Sequence, residues 1–363
     1  MRILYLITGL TLGGAEIISI DIANGMSARG HSVCIVHLSD KNELQSRINE
    51  NIKVISLNMG KTPLSFCSSI IKFGQTLKQF KPNVVHANMV HANIFARISR
   101  IFYKMPRLIC SAHSNNEGGI LRMLSYRMTD FLSDTNTNVS EEAVNHYTNN
   151  GWFSKEKSIC VYNGINDNIF RPDEQFRNLM RSEYGIKPNE FIFLFIGRLT
   201  KIKDVPTILK AFQSVSNNIR GVKLLIVGDG EEMPSLQEET KKLKINDITI
   251  FAGKQNDTWK YYNAADCFIL SSAWEGFGIV LVEAMSCGLP VLATNAGGCS
   301  EVINDNRFLV EVGNHKELSK KMISIYRLDS ITLSLLKERN IKRAKTFALS
   351  NILDKWEEIY QDN

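Results

Sequence analysis

Nothing in this chain approaches the ~18 consecutive apolar residues that a membrane-spanning helix requires. The apolar start, Met1-Arg2-Ile3-Leu4-Tyr5-Leu6-Ile7-Thr8, leads into Gly13-Gly14-Ala15-Glu16 without a small-residue cleavage pattern, so a buried first strand is expected rather than a signal peptide. Seven cysteines (Cys34, Cys67, Cys110, Cys160, Cys267, Cys287, Cys299) are scattered. No pair has the C-x-x-C spacing of a zinc or redox site, which fits a reduced cytoplasm. A dinucleotide fingerprint G-x-G-x-x-G is missing after the first strand. No acidic residue closes the second strand either, Asp40 coming three residues late, which argues against a nicotinamide enzyme. Aromatic residues do not interleave with basic ones as a stacking platform for nucleic acid would need. Short-period repeats and low-complexity tracts are also lacking.

What is present is an ordinary globular composition, 44% hydrophobic and 22% charged over 363 residues, enough for two domains of the usual ~100–200 residues. The net charge of +6 is uneven. Residues 1–165 hold 17 Lys/Arg against 11 Asp/Glu, whereas residues 166–363 hold 26 of each. The basic excess, including Arg97, Arg100, Lys104, Arg107, Arg122 and Arg127, reads either as solvated helix faces or as a surface for anionic lipid head groups or a phosphate-bearing acceptor. Short β-branched runs alternate with amphipathic segments, the pattern of parallel sheets covered by helices. Strands are expected at Ile3–Ile7, Ser32–His37, Lys53–Leu57, Val84–Ala87, Leu108–Ser111 and Ser158–Tyr162, with helices such as Glu16–Ala28 and His91–Tyr103 between them. The pattern restarts with Phe191–Ile196, Lys223–Val227, Ile248–Ala252, Cys267–Ser271 and Pro290–Ala293, and helices near 204–216, 232–244, 257–265 and 278–287. A boundary near 165–175 separates the halves, and ligands in such open sheets bind at the carboxyl ends of the strands.

Those strand ends carry the candidate chemistry. Gly13-Gly14 lets the backbone turn tightly beside a helix N-terminus, though a structural turn would look the same. His113 follows the fifth strand, as a cleft residue or as a satisfied structural histidine. Gly197-Arg198-Leu199 ends the first strand of the second half, with Lys203 shortly after; two cations there suit a diphosphate, and singly each reads equally as a surface cation. Val227-Gly228-Asp229-Gly230-Glu231 ends the next strand. The richest passage runs Ser272-Ala273-Trp274-Glu275-Gly276-Phe277-Gly278-Ile279-Val280-Leu281-Val282-Glu283-Ala284-Met285-Ser286-Cys287-Gly288-Leu289-Pro290. A loop carboxylate, Glu275, precedes a helix whose first amides favour phosphate, and Glu283 lies on that helix.

This passage closely resembles family 4 of the retaining glycosyltransferases, through Glu275-x7-Glu283 and its flanking Glu-Gly-Phe-Gly and Glu-Ala-Met-Ser-Cys-Gly-Leu-Pro-Val. The resemblance extends to Gly13-Gly14-Ala15-Glu16, Val139-Ser140-Glu141, Val161-Tyr162-Asn163-Gly164-Ile165, Gly197-Arg198-Leu199 with Lys203, Gly228-Asp229-Gly230, Gly297-Gly298 and Glu301, nearly the whole chain. It implies the α/β GT-B fold: two Rossmann-like, doubly wound parallel-sheet domains facing a cleft. An N-terminal acceptor domain at 1–168 would be joined by a C-terminal helix at about 350–363, and a nucleotide-sugar domain would occupy 169–349. By the same resemblance, Arg198 and Lys203 would neutralise the departing diphosphate. Glu275 would hold donor-sugar hydroxyls, with Phe277, Gly278 and Ile279 near sugar and phosphate. Glu283 would bind the ribose, Gly253 and Lys254 the base, His113 the sugar, and Gly13 and Gly14 the donor phosphates. The implied activity is retaining transfer from a nucleotide-sugar, most simply UDP-linked, to a glycan or lipid-linked acceptor in bacterial surface polysaccharide synthesis. No cofactor, metal or nucleic acid is implied, and the Asp-x-Asp metal site of the other glycosyltransferase architecture is missing. The expected location is cytoplasmic, with peripheral contact at the inner membrane. Ile94–Tyr103 would supply an amphipathic, cationic docking face, or else would be a core-packing helix. The rival readings are a nucleotide-sugar epimerase, a phosphorylase, and a non-catalytic binding protein of the same fold.

Overall fold

The computed structural model describes residues 1–11, 13–115 and 117–362; Leu12, in the first glycine-bearing loop, lies outside them. The chain folds as two units, Met1–Gly164 with Leu349–Asn363, and Ile165–Ala348, a few residues ahead of the expected division at 168/169. In the first unit the order is β1 (Arg2–Ile7), α1 (Gly14–Ala28), β2 (Ser32–His37), β3 (Lys53–Ser56), α2 (Pro63–Phe80), β4 (Val84–Asn88) and α3 (Val90–Phe102). β5 (Leu108–Ser111), α4 (Ile120–Thr129), β6 (Thr135–Asn138), α5 (Glu141–Asn149) and β7 (Ser158–Cys160) follow. All strand neighbours pair in parallel, in the order β3-β2-β1-β4-β5-β6-β7. The strands of such a sheet are covered on both faces. That is why β1 and β2 read as unbroken apolar runs, with Ile3 to Ile7 and Val33 to Val36 all buried.

One strand of this sheet escapes the apolar signal altogether. β6 reads Thr-Asn-Thr-Asn, yet all four residues are buried. Buried polar groups need partners, and here they have them. Thr137 Oγ1 lies 2.6 Å from Ser111 Oγ, Asn136 Nδ2 donates to Asp130 at 2.7 Å, and Asn138 Nδ2 donates to the Ser114 carbonyl at 3.1 Å. Arg97, fully buried on α3, donates to Asn136 Oδ1 at 2.6 Å, to the Tyr126 carbonyl at 3.0 Å and to Ser133 Oγ at 3.2 Å. Arg100 pairs with Asp134 at 2.7 Å and donates to the Leu132 carbonyl. These contacts correct the expected docking face on Ile94–Tyr103. α3 is a core-packing helix, because the buried Arg97 guanidinium donates to the polar strand and the Arg100 guanidinium is tied to the turn just before it. Only Ile101 and Phe102 of its apolar residues are well exposed.

The last helix, α14 (Leu349–Gln361), returns to this first unit. Ile352, Leu353, Trp356, Ile359 and Tyr360 join the core formed by β1, β2 and α1. Tyr360 OH lies 2.9 Å from Tyr5 OH and 2.8 Å from His86 Nδ1, and His86 Nε2 lies 2.6 Å from Ser111 Oγ. This hydrogen-bonded line crosses β1, β4 and β5. Asp354 and Glu357 of α14 also pair with Arg29, offsetting part of the N-terminal basic excess.

The second unit holds α6 (Glu174–Glu183), β8 (Phe191–Ile196), α7 (Val205–Asn218), β9 (Val222–Val227), α8 (Met233–Lys242), β10 (Thr249–Gly253) and α9 (Thr258–Ala264). Then come β11 (Cys267–Leu270), α10 (Ile279–Ser286), β12 (Val291–Thr294), α11 (Cys299–Ile303), β13 (Leu309–Val310), α12 (His315–Tyr326) and α13 (Ser330–Lys345), before α14 (Leu349–Gln361). Its parallel sheet has the order β10-β9-β8-β11-β12-β13. The two-residue β13 was too short to be legible as a run. In both sheets the strand order reverses beside the first strand, and ligands of doubly wound sheets gather at the carboxyl side of such switch points.

Candidate active site

In the C-terminal unit the loops after β8, β9, β11 and β12 are locked together by backbone. Gly228 has φ +136°, and a Cβ there would fall 1.9 Å from the Gly197 carbonyl oxygen. Only glycine allows this approach, and it brings Gly197 and Arg198 against the β9 loop, where Leu199 N donates to the Asp229 carbonyl at 2.9 Å. Gly297 plays the same part after β12. With φ +56°, its Cβ would fall 1.7 Å from the Glu275 carbonyl oxygen. The Ser272–Glu275 loop is also tied to the turn after β8: Ser271 Oγ donates to the carbonyls of Lys203 and Asp204, both at 2.8 Å, and Ala273 N donates to the Ile202 carbonyl at 2.7 Å.

This backbone brings Lys203 and Glu275 into an ion pair of 2.5 Å, and Ser272 Oγ donates to the same carboxylate oxygen at 2.6 Å. The Glu275 side chain is only 12% exposed, so the pair is well shielded. Arg198 is exposed on the neighbouring loop with no side-chain partner among the described residues, available to an anion. α10 has Gly278, φ +82°, as its N-cap, with no side-chain cap. Its first-turn amides therefore point outward as a helix N-terminus suited to phosphate. Further along α10, Glu283 accepts a 2.7 Å hydrogen bond from Tyr262 OH of α9. Tyr262 is fully buried, and its hydroxyl is held well above its usual pKa by that burial and by the adjacent Glu283. Gly253 ends β10 with φ +67°, its carbonyl accepting from Gly228 N at 2.8 Å, and Lys254 beside it is exposed. Phe277 is buried, 5.4 Å from the Phe347 ring. Arg198, Lys203, Glu275, Gly278 and Glu283 thus belong to one strand-end edge. A cavity of about 380 Å³ under α12 and α13, lined by Leu292, Phe308, Ile325 and Arg339 among others, contains none of these residues.

In the N-terminal unit, Gly13 is the N-cap of α1, and Glu16 folds back so closely that a Cβ on Gly13 would meet its carboxylate at 2.2 Å. A Cβ on Gly14 would meet nothing within 4 Å among the described residues, so their packing does not require that glycine. His113 Nε2 lies 3.0 Å from Asn88 Oδ1, which assigns the ring proton to Nε2 because an amide oxygen only accepts. The other nitrogen, Nδ1, is a buried acceptor without a partner among the described residues. Burial pushes the imidazole down to about 4, leaving it neutral at physiological pH. Glu117, in the same loop, accepts from His113 N at 3.1 Å and from Tyr126 OH, and burial raises its carboxyl to about 7.

Motif reading gave no role to Ser272 and missed Tyr262, Asn88 and Glu117, which hold the expected residues in place. Asn88 and Ser272 do end or follow strands, a positional signal. Tyr262 and Glu117 reach their partners through packing that no spacing encodes.

Two family models match the chain. Glycosyltransferase Family 4 covers residues 12–169, and Glycosyl transferases group 1 covers residues 176–346. Among curated relatives, the N-acetyl-α-D-glucosaminyl L-malate synthase of Bacillus anthracis is 24% identical over 97% of this chain and 94% of its own. The capsular polysaccharide biosynthesis glycosyltransferase CapM of Staphylococcus aureus is 25% identical, covering 89% and 88% respectively. The UDP-Gal:α-D-GlcNAc-diphosphoundecaprenol α-1,3-galactosyltransferase of Escherichia coli is 24% identical, covering 81% and 79%. The crystal structure of Anabaena Alr3699/HepE in complex with UDP matches with a TM-score of 0.87 and 22% identity over the whole of both chains. The two parallel sheets, the strand-end cluster and both family models lead to one assignment: this chain belongs to glycosyltransferase family 4 and has the GT-B fold.

Proposed function

We propose that this protein moves a hexose or N-acetylhexosamine, with retention of anomeric configuration, from a UDP-sugar onto a glycan or lipid-diphosphate-linked acceptor in bacterial surface polysaccharide synthesis. The observation that carries this reading is the shared edge of Arg198, the Lys203–Glu275–Ser272 group, the uncapped start of α10 and the Tyr262–Glu283 pair. Cleavage between the anomeric carbon and the diphosphate oxygen builds negative charge on the leaving group. Arg198, Lys203 and the α10 amides are suited to take that charge, so the reaction proceeds without a divalent metal and persists in EDTA. Glu275 orients sugar hydroxyls and Glu283 the ribose, while backbone near Gly253 and Lys254 rests against the base. The new bond from the acceptor oxygen forms on the face that the diphosphate leaves, and the acceptor's proton passes to the departing phosphate oxygen. No enzyme carboxylate acts as nucleophile. His113, neutral and with no partner for Nδ1 among the described residues, is suited to accept from a sugar hydroxyl, and Gly14 gives room beside the helix for a donor phosphate.

The UDP carrier is supported by the UDP complex of the similar Anabaena protein, and the acceptor class by the diphosphoundecaprenol and capsular relatives. The malate synthase supports a second reading, transfer to a small soluble hydroxy acid. The decisive experiment incubates purified protein with UDP-, GDP- and ADP-sugars and measures nucleotide release with a lipid-diphosphate acceptor, with L-malate and with neither. Release that depends on the lipid acceptor, with an α-linked product from an α-linked donor, supports the proposal. Release with malate alone transfers the case to the second reading. Donor interconversion without acceptor indicates an epimerase, and failure of both turnover and nucleotide binding indicates a non-catalytic protein.

A further inference from the structure

The cavity of about 380 Å³ under α12 and α13 lies outside the donor edge and is far larger than the voids of a well-packed core. α12 packs on α7 and α13 on α10, which holds the two helices apart over β12. Each turns one face into the space between them. α12 offers Lys321, Ser324, Ile325 and Leu328, at i, i+3, i+4 and i+7. With the same spacing, α13 offers Thr332, Leu335, Leu336 and Arg339. Leu292 of β12 and Phe308 of the 3-10 turn Asn306–Phe308 complete the lining. The short turn between the helices puts Leu328 and Thr332 at one end. Lys321 and Arg339 meet the segment Asp305–Leu309 at the other, two helical turns or ~10 Å away. Between the ends the surface is apolar, with Leu292, Ile325 and Leu336 buried and Leu335 62% exposed at the lip.

Charge identifies the ligand. At the polar end Arg307 and Arg339 share the single carboxylate of Asp305, Arg307 through Nε and Nη2 and Arg339 through Nη1. Both guanidiniums lie against the Phe308 ring, 5.7 and 4.8 Å from its centre. Lys321 is matched by Glu317 at 3.4 Å and braces the turn through the carbonyls of Arg307 and Leu309. Three cations against two acids leave one positive charge, and among the described residues no acidic side chain lines the cavity. We propose that this cavity binds an amphipathic carboxylate, its head on the Arg307–Arg339 pair and its acyl chain running between α12 and α13 toward Leu328. A carboxylate matches both the guanidinium fork and the single charge in excess. The volume and the apolar lining with a few polar groups at one end are those of a small-molecule site. The site shares no residue with the donor edge and does not depend on the transferase reading.

The test is titration calorimetry of the full chain with decanoate, kept below its micelle concentration, and with decanol as the uncharged probe of the same chain length. Wild type is expected to bind one decanoate, and to bind decanol at least about tenfold more weakly. Arg307→Ala removes an exposed cation and is expected to weaken decanoate about tenfold while leaving decanol unchanged. Ser324→Trp fills the cavity from an exposed position and is expected to abolish binding of both probes without lowering the thermal unfolding temperature. A wild type that takes up no decanoate, or that binds decanol equally well, overturns the proposal. So does full decanoate affinity in a folded Ser324→Trp variant, or in Arg307→Ala whatever the stability of the tryptophan variant. Competitive displacement of decanoate by UDP also overturns it, because the probe would then sit at the donor edge. None of these readouts requires turnover, so loss of activity with every donor would sink the transferase reading and leave this site standing.

Discussion

At the residue scale, each polar side chain at the strand-end edge is held by a neighbour that leaves its function open. Glu275 is fixed by Lys203 and Ser272, and Glu283 by Tyr262, whereas Arg198 is left to solvent. Arg198→Ala and Lys203→Ala are each expected to lower kcat by about a hundredfold or more, since one preorganised electrostatic donor contributes roughly 2.7–4 kcal/mol to the barrier. Steady-state kinetics beside circular dichroism checks this, and a folded variant within tenfold of wild type would remove that residue from the mechanism. Gly14→Ala separates packing from ligand space. With nothing among the described residues within 4 Å of its added methyl, stability should hold or rise by about 0.5–1 kcal/mol, as for glycine in a helix, while turnover falls. Glu117 makes stability depend on pH. Its carboxyl, near 4.5 when unfolded, rises to about 7 in the fold by burial, against hydrogen bonds from Tyr126 and His113 that favour the charged form. The stability it contributes is complete below 4.5 and is lost as pH rises through about 7. Glu117→Gln stays neutral and is expected to gain on wild type across that window in urea titrations; a difference that does not change with pH would contradict the assignment. His86 and His113 act oppositely: burial lowers them to about 3 and about 4, so their contribution is present above 6.5 and fades as pH falls.

At the element scale, legibility followed the apolar period. β2, β5 and β8 match their expected spans because their runs are continuous and bounded by turns. β6 had no such signal, because Thr-Asn-Thr-Asn is stable as a buried strand only with Arg97, Asp130, Ser111 and Ser114 supplying partners from other elements. The same fact reverses the reading of α3, whose arginine looks like a surface cation until β6 is placed beside it. Arg97→Leu is expected to destabilise the N-terminal unit by roughly 3–5 kcal/mol, because Asn136 Oδ1 and the Tyr126 carbonyl would lose their buried charged donor and Asp130 one of its two cations. Chemical denaturation measures this, and a cost below about 1 kcal/mol, the range of a surface ion pair, would show that the network is dispensable.

At the scale of the whole molecule, the first unit is discontinuous in sequence. α14 arrives after the entire second unit and adds five buried side chains to the first unit's core. At ~1.5–3 kcal/mol each, their burial amounts to roughly 8–15 kcal/mol as an upper figure, comparable to the ~5–15 kcal/mol stability of a domain. A fragment of residues 1–164 is therefore expected to be molten or insoluble, and to fold cooperatively once residues 349–361 are fused to it. Near-ultraviolet circular dichroism distinguishes the two. A native 1–164 fragment would mean that α14 merely docks on a finished core.

Alternating apolar runs, glycines at strand ends and Glu275-x7-Glu283 were enough, as sequence, to determine two parallel α/β units, their approximate division and which residues stand at the strand-end edge of the second. These signals are local, since each depends on a strand's own burial, a turn's own backbone or a helix's own start. Tertiary structure alone decided which cations serve the surface and which the core. It also decided that a polar tetrapeptide becomes a buried interior strand, that Lys203 meets Glu275, and that α4 rather than α3 turns an apolar face outward. Each of those outcomes depends on partners distant in sequence, and burial in three dimensions, not composition, sets the free energy of a polar or apolar side chain.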